Sequence, residues 1–146
     1  MEILIRLKRA IPGIKSQKIR RNLAKVLNDL GCHDKELSVL VTDDRQIAEL
    51  NHLYLGKNGP TNVLAFPMTS GTEFCGDPNM LGDIVISGDT AVRESKALGE
   101  SPDHTIDRLL IHGLLHLMGL DHTNSEEEAS RMEKEEKRLL ALITEE

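Results

Sequence analysis

The chain has 146 residues, 39% of them hydrophobic and 29% charged, with a formal net charge of −6. That length is most simply one domain, long enough to bury roughly two-thirds of its unfolded surface. The acidic balance does not describe a general nucleic-acid-binding protein, and two cysteines as far apart as Cys32 and Cys75 make neither a zinc ribbon nor a redox pair.

The opening MEILIRLKRA alternates apolar and polar residues and lacks the apolar centre and cleavage site of a signal peptide, so Ile3 to Leu7 is expected as a strand. Ser16 is expected to cap a helix whose apolar positions Ile19, Leu23, Val26, Leu27 and Leu30 recur at helical spacing, with Gly31 as its stop. This part is basic, with Arg6, Lys8, Arg9, Lys15, Lys18, Arg20, Arg21 and Lys25 against Glu2 and Asp29. Such a helix face either meets phosphate or is simply solvated.

Leu37 to Val41 reads as a second strand. Thr42 and Asp43 open a helix in which Ile47, Leu50, Leu53 and Tyr54 define one face, and Gly56 to Pro60 breaks it. Thr61 to Phe66 is β-rich and closed by Pro67. A Gly/Pro/polar loop runs to Met80, and Gly82 to Ser87 makes a further strand. Asp89 to Leu98 is expected to be helical, ended by Gly99. Ser101-Pro102 pairs a cap with a proline at the first helical position, and that helix runs through Ile106, Leu109, Leu110, Leu114 and Leu117 to Gly119. Ser125-Glu126-Glu127-Glu128 matches a capping box before a last helix with Ala129, Met132, Leu139, Leu140 and Ile143 inward. The expected architecture is α+β: a single domain over residues 1–146, with a small mixed β-sheet packed by about five helices. The longest apolar run, Leu109 to Leu120, is too short to cross a bilayer, and a cytoplasmic, membrane-free protein is expected.

Histidines interrupt that apolar run. His112 and His116 stand four residues apart and therefore share one helix face. Gly119 permits the sharp turn that can bring His122 back toward them. Three neutral imidazoles with an open fourth position make a reactive zinc environment, so a single zinc ion per chain is expected on His112, His116 and His122. His33, His52 and His104 have no such partners. The spacing is that of the extended zincin pattern, but the glutamate those peptidases use as general base is replaced by Gly113. A glycine cannot move a proton, which places zinc peptidase activity third among the readings.

The run His112-Gly113-Leu114-Leu115-His116-Leu117-Met118-Gly119-Leu120-Asp121-His122 resembles the H-G-x-L-H-L-x-G-x-D-H signature of the bacterial YbeY family. Pro60 to Pro67 (PTNVLAFP) and Leu81 to Ile86 (LGDIVI) are similar to two further stretches of that family, so the resemblance covers essentially the whole chain. It implies a zinc-dependent endoribonuclease that cuts single-stranded RNA, matures the 3′ end of small-subunit ribosomal RNA and serves ribosome quality control. Ribosomal proteins or an assembly GTPase are further implied partners. The ligands carried over are His112, His116 and His122, with Asp121 as the carboxylate that supports them or handles a proton. Two positions depart from the family: Leu55 stands where an arginine usually precedes the Gly-Lys pair, and Ala65 replaces a serine. Leu55 cannot contact phosphate, so Lys57, helped by the basic first helix, is expected to bind the RNA backbone as a point charge. The lost arginine also favours an alternative, a ribosome assembly factor that binds RNA and whose metal is mainly structural.

Overall fold

Alternation along the strands gives the central sheet two unlike faces, and everything about the site follows from which face each helix covers. The computed structural model describes residues 2–8, 10–32, 34–67, 80–119 and 125–144. Within them the order is β1 (Glu2–Leu7), α1 (Ser16–Asp29), β2 (Glu36–Thr42), α2 (Asp44–Leu55), β3 (Val63–Pro67), β4 (Met80–Ser87), α3 (Gly88–Leu98), α4 (Pro102–Leu117) and α5 (Glu126–Thr144). The strands lie in the order β1-β2-β4-β3. β1 and β4 each run parallel to β2, whereas β3 pairs antiparallel with β4 and forms the edge. The expected small mixed sheet with its helices is the observed fold.

On one face Ile3, Leu37, Val39, Val41, Ile84 and Ile86 meet the apolar sides of α1, α4 and α5 in an aliphatic core. α4 is the centre of this layer: Ile106, Leu110 and Leu114 are essentially inaccessible, and each such side chain contributes about 1.5–3 kcal/mol by leaving water. The other face is thinly covered: Ile47 and Leu50 of α2 pack against Leu40, Leu64, Phe66 and Val85 there.

Several local expectations meet their physical cause. Ser101 accepts from the His104 N–H and caps α4, with Pro102 behind it. Asp43 caps α2 through the Gln46 N–H, and Ser125 accepts from the Glu128 N–H ahead of α5. Gly56 and Gly99 end α2 and α3 in the left-handed conformation that glycine adopts without a Cβ penalty.

Others are corrected. Ser16 is not a cap but the first helical residue of α1; Lys15 occupies the cap position, in extended conformation and with no side-chain bond. α3 starts one residue before Asp89, because Ser87 caps it through the Thr90 N–H. β4 begins at Met80, within what reads as loop. The expected apolar face of α2 holds only in part. Ile47 and Leu50 pack on the sheet, but Leu53 is 71% and Tyr54 62% exposed, Tyr54 meeting the Phe66 ring at the sheet. Asn51, not Leu53, turns inward to bond the Gly59 carbonyl.

Candidate functional site

α4 sets the geometry of the histidine pair. Being helical, it presents His112 and His116 on one side, where their rings meet edge to face with centroids 4.7 Å apart. The two Nε2 atoms are 3.2 Å apart. At that distance two nitrogens share either a proton or a cation. Two imidazole nitrogens bound tetrahedrally to zinc at about 2.0–2.1 Å stand roughly 3.3 Å from each other. The separation of the pair therefore matches that of two ligands on one zinc ion.

A carboxylate holds the other end of His112. Glu136, on α5, places Oε1 2.5 Å from Nδ1 of His112. That contact keeps a proton on Nδ1 and leaves the Nε2 lone pair pointing toward His116, the arrangement found behind metal-bound histidines. Nothing in the acidic C-terminal composition singles Glu136 out. Its register does: it lies four residues after Met132 and three before Leu139, both buried, so it sits on the core-facing side of an amphipathic helix where a carboxylate requires a partner.

Gly113 has a packing reason. A Cβ at this position would lie 3.1 Å from Ile84 Cγ2 and 3.4 Å from Val63 Cγ2, so α4 rides close on β3 and β4 because nothing projects there. A glutamate could not stand at Gly113 without displacing the sheet side chains beneath it. The missing peptidase base is thus part of the helix–sheet contact.

The histidines open onto a cavity of about 440 Å³ between α4, β3 and the chain after α2. Lys57 lies in its wall, as do Leu55, Asn62 and Ala65. Asn62 is fixed from two sides: its Nδ2 donates to Glu94 Oε1 at 2.7 Å, and its carbonyl accepts from the Ser87 N–H. Among the described residues Lys57 is the one lysine or arginine lining this cavity; no α1 residue lines it. Lys18 instead pairs with Asp103 in a depression that also contains His104 and Asp107.

The structure thus brings His112, His116 and Lys57 together, and adds Glu136. Asp121 and His122 lie outside the described residues, and no cluster of three or more metal-binding side chains forms among those described. The chain does turn where expected: Gly119 has φ +93° and its N–H bonds the His116 carbonyl. His52 is exposed and His104 lies 3.7 Å from Glu100; neither adjoins the pair. His33 lies outside the described residues, as does Cys75, while Cys32 is a buried free thiol. No described helix is long and apolar enough to cross a membrane.

Comparison with known proteins gives three concordant results. The sequence pattern of the family described as Endoribonuclease YbeY matches residues 6–144. Proteins named Endoribonuclease YbeY from Syntrophus aciditrophicus and Aquifex aeolicus are 42% and 41% identical to the chain, over 98% and 97% of it and 90% and 91% of their own lengths. The solution structure of TM1509 from Thermotoga maritima superimposes with a TM-score of 0.66 at 22% identity, over 97% of this chain and 88% of that one, and shares the fold.

Proposed function

Since the chain belongs to the Endoribonuclease YbeY family and is thereby a hydrolase acting on RNA, we propose that it is a zinc-dependent, single-strand-specific endoribonuclease working in 3′-end maturation of small-subunit ribosomal RNA and in ribosome quality control. Ribosomal proteins or an assembly GTPase are its proposed partners, in the cytoplasm. The observation that carries the zinc dependence is the 3.2 Å separation of the His112 and His116 Nε2 atoms beside a cavity that also contains Lys57.

His112, His116 and His122 would hold the ion. When bound, zinc supplies a Lewis acid at the scissile phosphate and a more acidic water for its hydrolysis. The chain's own groups do the rest. Glu136 fixes the tautomer and orientation of His112, and the aliphatic layer behind α4 keeps the pair stiff. Lys57 supplies a positive charge for the RNA backbone, and Asp121 is the proposed proton-handling carboxylate.

A second reading, an RNA-binding assembly factor with a mainly structural metal, is favoured by Leu55, which brings an uncharged and half-exposed side chain to the cavity wall. One experiment separates the readings. Zinc-loaded protein and a His116→Ala variant are incubated with single-stranded RNA, structured RNA and a denatured peptide. Cleavage of the single strand that disappears in the variant supports the nuclease. Tight RNA binding without cleavage supports the assembly factor, and peptide cleavage overturns both.

A further inference from the structure

A second cavity, of about 470 Å³, lies on the thinly covered face of the sheet. Its floor is set by strand register. Ser38 pairs with Asp83, and Asp83 with Phe66, so these side chains form one row across β2, β4 and β3. Arg6 adds a cation from β1, and Tyr54 of α2 forms a wall. Pro67 lines this cavity and the histidine cavity alike, so the two adjoin around the β3 edge.

The aromatic placement is informative. The chain has one tyrosine, two phenylalanines and no tryptophan, and its buried core is aliphatic. Two of these scarce rings, Tyr54 and Phe66, meet here with centroids 5.3 Å apart and planes at 60°, and Tyr54 is 62% exposed. A protein gains little stability from an aromatic left in water, whereas flat rings on a sheet face are the means by which unpaired RNA bases are held. Asp83 lies beside them, and its side chain makes no hydrogen bond or ion pair with the described residues.

We propose that this cavity is a nucleobase subsite that takes an unpaired guanine of the RNA strand whose backbone lies at the histidine cavity. This rests on the nuclease reading above and specifies its substrate. Asp83 repels phosphate, so a base rather than the backbone enters. Ionised, its two oxygens only accept hydrogen bonds. Guanine offers N1–H and the N2 amino group side by side, matching both oxygens. The other bases set a carbonyl or ring-nitrogen acceptor beside their donor, which a carboxylate repels. Tyr54 and Phe66 stack on the base, and Arg6 remains to meet the next phosphate.

The test uses the full-length chain and short oligouridine strands with and without one internal guanosine, read by fluorescence anisotropy before any cleavage accumulates. The guanosine strand is expected to bind about 5- to 150-fold tighter, the range of one bidentate base contact. Inosine, which lacks the N2 amino group, should lose most of that preference. Asp83→Asn should abolish the preference without lowering the all-uridine affinity, since it removes a negative charge from the path of the strand. Tyr54→Ala should weaken both strands. Phe66→Leu should do the same; it keeps the apolar volume, so its loss is of stacking and not of folding, as circular dichroism will verify. No guanine preference, or unchanged affinity in folded Tyr54→Ala and Phe66→Leu, overturns the proposal. So does a loss confined to self-association or to binding of an arginine-rich peptide, which would make this face a protein contact. If the wild-type chain neither binds nor cleaves RNA, the nuclease reading falls with it. If metal-dependent cleavage persists and these variants change nothing, the subsite alone falls.

Discussion

Asp107 is the residue whose replacement should most improve this protein. It lies on α4, only 5% exposed, and its one described side-chain partner is Asn22 of α1, whose Nδ2 donates to Oδ1 at 3.1 Å. Burial pushes the carboxyl up to about 6 from an ordinary 3.8; the Asn22 bond opposes this, the Asp103 charge adds to it, and Lys18 and His104 pull it back. The folded state therefore holds the proton more tightly than the unfolded chain does. Stability from this group is greatest below the unfolded pKa, falls as pH rises between about 4 and about 6, and is fully lost above that. Keeping this carboxylate ionised in the fold therefore costs about 3 kcal/mol at neutral pH. Asp107→Asn keeps the shape and the acceptor for Asn22 and removes the charge. Urea unfolding followed by far-UV circular dichroism should show the variant more stable by up to about 3 kcal/mol at pH 7.5, with Tm raised by roughly 2–4 °C per kcal/mol. The advantage should shrink toward zero by pH 4. Because the comparison is variant against wild type, titration of other groups largely cancels. A variant that is no more stable at pH 7.5, or whose advantage does not shrink in acid, would refute the reasoning.

Further outcomes concern the site. His112→Ala combined with His116→Ala should abolish near-stoichiometric zinc in metal analysis of untagged protein, and full occupancy in that variant would sink the ligand assignment. Glu136→Ala should lower zinc affinity about 10- to 100-fold in a chelator competition, with Glu136→Gln, which retains an acceptor, falling less. Lys57→Ala should weaken RNA binding and reduce the log–log salt slope by about 0.7, while Leu55→Arg should strengthen binding; an unchanged slope together with no gain places the RNA elsewhere. Gly82→Ala should destabilise the fold by about 2 kcal/mol or more in urea unfolding, because a Cβ there would lie 2.3 Å from the Phe66 carbonyl oxygen at a backbone φ of +146°.

The histidine helix was legible because its signals are local. The Ser101-Pro102 start and the four-residue histidine spacing each act within one or two turns, and α4 forms as they require. Alternation likewise announced β1. What could not be read was anything settled by docking one element on another. Glu136 acquires its role only when α5 packs against α4, and Tyr54 loses its expected burial only because α2 lies along one narrow line of the sheet. The first helix carries many positive charges, but Lys18 points one of them at Asp103, away from the histidine cavity. Asp107 was hidden for the opposite reason: it falls on the apolar side of a helix whose leucines dominated the pattern.

The position of the rings also decides what light can report about this protein. With no tryptophan, ultraviolet emission from the native chain comes essentially from Tyr54, which already stands mostly in water. Unfolding will therefore change that emission little, and a fluorescence melt would register almost none of the collapse of the aliphatic core. A base stacking on Tyr54 will quench it directly. The single tyrosine is thus a poor thermometer for the fold and a built-in, label-free gauge of occupancy for the cavity on the open sheet face.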